Sequence, residues 1–127
     1  MPTIGQMAQT YPQGESLIPE RFDEHTIIFL MRPADAPPFS EAELDRLQTE
    51  HLTYLRGLKR EGVLVANGPL VEQTDERMRG ISIYALPLDE ALARANADPM
   101  VRAGRLEILG ARWWTAEGTA RFGTASA

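Results

Sequence analysis

A chain with no cysteine and two histidines has few groups able to move a proton near neutral pH. One of them, His51, lies in "TEHLTYLRGLKREG" on an apolar stripe formed by Leu44, Leu47, His51, Tyr54, Leu55 and Leu58 at steps of three and four. An imidazole on such a face is either a core residue with its nitrogens satisfied or a general acid or base. The second role needs a carboxylate to fix the tautomer and stabilise the imidazolium. Asp98 is the candidate. It precedes Pro99, a pairing that makes a good helix start by itself. One carboxylate oxygen can cap that turn while the other faces His51. Tyr54, one helical turn after His51, either lines the same cavity or packs in the core. Ser82 and Tyr84 alternate to one face of a strand, within reach of a ligand or only of the sheet surface. Arg32 and Arg102 are either receptors for an anionic substrate or solvated charges. His25, beside Asp23 and Glu24, reads as an exposed residue opening the first strand.

The elements that must position these residues follow from periodicity and punctuation. "HTIIFLMR" (25–32) is nearly all apolar and β-branched or aromatic, the signature of a central strand. A proline-rich loop follows. Ser40 and Glu43 then form a capping box, hydroxyl and carboxylate each satisfying a first-turn N–H, at the start of a helix that stops at Gly62. "VLVANGP" (63–69) is a second strand, "LVEQTDERMR" (70–79) a polar loop and "GISIYAL" (80–86) a third strand. "PLDEALARANA" (87–97) is a second helix with a thin apolar side. "DPMVRAG" (98–104) is one further turn, and "RLEILGARWW" (105–114) the last strand, with Trp113 and Trp114 on opposite faces. The order β-α-β-β-α-β is a ferredoxin-like α+β arrangement, a four-stranded antiparallel sheet with two helices on one face. The other face keeps apolar residues, so a homodimer through the sheet face is expected. Residues 1–24 read as an N-terminal arm, 25–115 as the folded domain and 116–127 as a flexible tail.

Composition narrows the function classes. The net charge is −5, with no Lys/Arg cluster, which argues against a nucleic-acid partner. No apolar run spans a bilayer, and no secretory leader is recognisable, so no membrane partner is expected and the cytoplasm is the default location. Without cysteine, thiolate nucleophiles and Cys-based zinc sites are excluded. No phosphate loop, nucleotide fingerprint, metal-ligand spacing or nucleophile elbow is present, so no cofactor and no metal are expected.

"EHLTYLRGLKREGVLVANGP" followed by "ADPMVRAG" resembles the YCII-related (YciI-like) family over about 25–114. Three pieces carry the likeness: His51-Leu52, Gly68-Pro69, and Asp98-Pro99 followed by Ala103-Gly104. The resemblance implies a dimeric α+β barrel with His51 and Asp98 together in a cleft. It implies a cofactor-free lyase or isomerase, dehydrochlorinase- or muconolactone-isomerase-like, acting on a small cyclic or aromatic metabolite. A non-catalytic small-ligand-binding or structural dimeric protein is the alternative. Two features depart from the family pattern: Met100 where an aromatic often follows Asp-Pro, and the long arm.

Overall fold

A computed structural model describes residues 17–123. The expected arm lies mostly outside these residues, as do the last four residues of the tail. The elements are β1 (Phe22–Met31), α1 (Glu41–Arg60), β2 (Leu64–Pro69), β3 (Met78–Tyr84), α2 (Leu88–Asn96), α3 (Pro99–Arg102) and β4 (Glu107–Ala116). The strands form one sheet of order β2-β3-β1-β4, the ferredoxin-like order, with β3 antiparallel to both β1 and β2.

Burial along β1 alternates. Thr26, Ile28 and Leu30 are buried, whereas Ile27 and Phe29 are half-buried. Ile28 and Leu30 join Leu47, Leu55 and Leu58 of α1 and Ala91 and Ala95 of α2 in one core, so both helices cover this face. Gly110 marks how closely α2 approaches it. A Cβ there would lie 2.9 Å from Leu92 and 3.1 Å from Ile28. On the opposite face, Ile27 pairs with Ile83 and Phe29 with Ile81.

Three local readings need correction. Ser40 Oγ caps α1 by accepting from the Glu43 N–H at 3.1 Å, but the Glu43 carboxylate accepts from the Ser40 hydroxyl and not from a backbone N–H. β1 begins at Phe22, so His25 is inside the strand and not at an exposed end. It is half-buried, its ring meets Phe122 edge-on at 5.0 Å, and its Nδ1 is buried without a partner. β3 begins at Met78, so the segment expected to be a loop contributes its last two residues, Met78 and Arg79, to the sheet.

The chain forms two compact units. Of the described residues, the larger comprises Glu24–Trp113 with 122–123 and holds the core. The smaller comprises 17–23 with Trp114–Arg121. Within the smaller unit, Phe22 stacks at a tilt on Trp114 at 5.5 Å, and the Gly118 N–H donates to Asp23 at 2.7 Å.

Candidate active site

The site starts from two helix ends and one helix face. The amphipathic stripe of α1 turns His51 inward, where it keeps only 9% of its exposure. The end of α2 leads directly into Asp98, which N-caps the short helix α3 with Pro99 at its first position. Asp98 Oδ1 accepts from the Met100 N–H at 2.9 Å. Its other oxygen, Oδ2, lies 2.6 Å from His51 Nδ1. An ionised carboxylate only accepts, so with Asp98 in that state the contact requires the proton on Nδ1. Nε2 is then the ring nitrogen able to meet a ligand. Asp98 is 2% exposed, so the contact is shielded from bulk water.

His51 lines a cavity of about 400 Å³ that opens between α1, the end of the sheet and α3. Volumes of about 300–1,000 Å³ suit small-molecule ligands, so this one fits a ligand of about one ring. Two of the three sequence pieces that carry the family likeness line it, His51-Leu52 from α1 and Gly68-Pro69 from β2; of the third stretch, only Met100, a departure from the family pattern, does so.

Arg32 and Ser82 also line this cavity. Arg32 is half-buried, and its Nε–H donates to the Arg105 carbonyl at 3.1 Å. Burial holds its guanidinium below the usual arginine range, and the charges of Arg105 and Arg79 add to the effect. Ser82 sits opposite Asn67 in the β2–β3 register, and both residues reach the cavity.

Tyr54 and Tyr84 lie elsewhere. The Tyr54 hydroxyl donates to the Arg94 carbonyl at 2.7 Å, closing the last turn of α2. Tyr84 is 2% exposed within the core. Burial raises both phenols above the ordinary tyrosine range. Asp98 contributes to both shifts, so its charge is felt on this side as well. Arg102 is exposed on α3 and does not line the cavity.

Sequence reasoning missed Arg79, Arg105, Asn67 and Gln48, which also line the cavity. Arg79 was read as part of a loop and Arg105 as the first residue of a strand. Nothing local to either marks the convergence, because they meet through the sheet and the α3 turn. Among the described residues, no three His, Cys, Asp or Glu side chains cluster as metal ligands. No helix among them is long and apolar enough to cross a membrane.

Fold and site together define a ferredoxin-like α+β protein with a buried His–Asp pair beside a small cavity. The chain belongs to the YCII-related domain family, whose match covers residues 28–115. No curated protein matches it. One solved structure it resembles is the 5-chloro-2-hydroxyhydroquinone dehydrochlorinase TftG from Burkholderia phenoliruptrix AC1100, in complex with 2,5-dihydroxybenzoquinone. Identity is 23%, the match covers 70% of this chain and 92% of that one, and the TM-score is 0.48.

Proposed function

We propose that this protein is a cofactor-free lyase or isomerase that uses His51 as general base and acid on a small cyclic or aromatic metabolite. The observation that carries this reading is the 2.6 Å His51–Asp98 contact at the wall of a ligand-sized cavity. His51 Nε2 takes a proton from a C–H or O–H of the substrate. Asp98 holds the imidazole in the tautomer that frees Nε2 and stabilises the imidazolium that results. In a dehydrochlorinase-like reaction, the released electron pair forms a new π bond while chloride leaves, and the proton passes on to water. In a muconolactone-isomerase-like reaction, the imidazolium returns the proton to a different carbon. Positioned acid–base catalysis contributes about 10²–10⁴-fold. Such a site therefore suits substrates with an acidic proton or a good leaving group. The same reading includes a homodimer through the sheet face that carries Ile27, Phe29 and Ile81.

The test is a panel of chlorinated hydroxyquinones and five-membered lactones, incubated with the full chain in D₂O. Chloride release and carbon-bound deuterium are followed by NMR. The expected result is turnover or exchange that His51→Ala lowers by about 10²–10⁴-fold. Full turnover by His51→Ala removes His51 from the reaction, and tight binding with no bond changed makes the protein a binder of an unaltered ligand.

A further inference from the structure

The cavity beside His51 is ringed by cations that the proton-transfer chemistry does not use. Arg32 follows β1, Arg79 lies on β3, and Arg105 follows α3, and all three line the cavity. Two physical features bring them there. A Schellman turn ends α3: Gly104 takes φ +79°, its N–H donates to the Val101 carbonyl at 3.0 Å, and the Arg105 N–H donates to the Met100 carbonyl at 3.0 Å. The Arg105 carbonyl then receives the Arg32 Nε–H, which fixes the Arg32 guanidinium at the sheet end.

None of the three has an ion-pair partner among the described residues. Arg21, Arg46, Arg77 and Arg94, in contrast, each meet a carboxylate within 4 Å. One carboxylate, Asp45 on α1, also lines the cavity, leaving the three guanidiniums in excess. Burial first, and then the charges of Arg105 and Arg79, hold the Arg32 guanidinium below its usual range, so like charge gathers at this wall without a counter-charge.

The geometry points to an anion-binding subsite formed by Arg32, Arg79 and Arg105. The substrate class is then a small ring bearing an oxyanion, carboxylate or phosphate, held with its reactive proton toward His51. The guanidinium fork matches both oxyanions in two-pronged fashion. This inference rests on the His51 cavity being the ligand site, and it does not depend on His51 performing chemistry.

The probes are 2,5-dihydroxybenzoate, its neutral analogue 2,5-dihydroxybenzamide, and phenyl phosphate. Each is titrated into the full-length protein by heteronuclear NMR and calorimetry at two salt concentrations. The expected result is that at least one anion binds about tenfold or more tightly than the amide and weakens as salt rises. Whether the benzoate or the phosphate ester binds better identifies the oxyanion. Arg32→Gln and Arg105→Gln lower anion affinity by about tenfold and leave amide affinity unchanged. Arg32 bonds the distant Arg105 carbonyl, whereas Arg79, at an exposed position, bonds only the carbonyl of Glu76 three residues away, so Arg79→Gln is the variant that tests charge with the least disturbance of the fold. Equal affinity for anion and amide, or no anion binding at millimolar concentration, overturns the subsite. His51→Gln separates the two readings. If it binds the anion as the wild type does while neither turns over the panel, the subsite stands and the catalytic reading fails.

Discussion

The two sides of the His51–Asp98 pair handle charge in opposite ways. Behind the pair, Arg94 is held by Glu61 at 2.8 Å, and its carbonyl is capped by Tyr54. Tyr84 fills the core beside them with its phenol kept neutral by burial. In front, Arg32, Arg79 and Arg105 face a cavity with no carboxylate in ion-pair range. The first side satisfies its own polar groups, as a packed interior requires. The second leaves its guanidiniums without an ion-pair partner among the described residues, which is what a site for an anionic ligand offers. Asp98 belongs to both, with one oxygen on the α3 backbone and one on His51.

The largest effect comes from breaking the member common to both sides. Asp98→Asn keeps an oxygen for the Met100 N–H but cannot accept from His51 Nδ1–H in the same way. Activity on any substrate found in the panel should fall by about 10²–10⁴-fold, with little loss of stability. Asp98→Ala removes both bonds. The lost cap costs about 1 kcal/mol, and a buried Nδ1–H without an acceptor costs a further ~1–3 kcal/mol. Urea unfolding of the two variants should separate them by roughly that amount. Similar stability for both would show that the cap to the Met100 N–H contributes nothing.

A smaller effect sharpens the rear side. Because burial lifts the Tyr84 phenol, the unfolded chain releases this proton before the folded chain does. Its contribution to stability is complete below about pH 10 and declines as pH rises further. Unfolding free energies measured from pH 8 to 11 should fall less steeply for Tyr84→Phe than for the parent. Parallel slopes would show that the phenol does not titrate with folding. The smallest effect is expected at the rim. Glu61→Gln breaks an ion pair whose two side chains are 41% and 51% exposed, so its cost should stay within about 1 kcal/mol.

Much of the scaffold is legible because it is local. The stripe from Leu44 to Leu58, Ser40 at its start and Gly62 at its end define α1 from spacing and cap chemistry alone. Asp98-Pro99 announces a helix start for the same reason. The cavity is not local. Ser82 and Tyr84 share a face by alternation, but alternation does not say which one lies near the open end of the sheet, and only Ser82 reaches the cavity. Tyr54 follows His51 by one turn, yet the hydroxyl is drawn to a carbonyl of α2. Arg79 and Arg105 meet Arg32 only through strand pairing and the α3 turn, contacts that no short window contains. Pairing with β1 and β2 likewise carries β3 past the polar run at its start.

The central claim is that His51 presents a free Nε2 to the cavity because Asp98 holds the proton on Nδ1. Long-range ¹H–¹⁵N NMR of the full chain with ring-labelled histidine reads this directly at neutral pH. The expected spectrum shows His51 protonated at Nδ1, with a downfield hydrogen-bonded proton that Asp98→Asn abolishes, and an unprotonated Nε2 that shifts when a ligand enters. A proton on Nε2 with Nδ1 bare would leave no base facing the cavity and would contradict the claim.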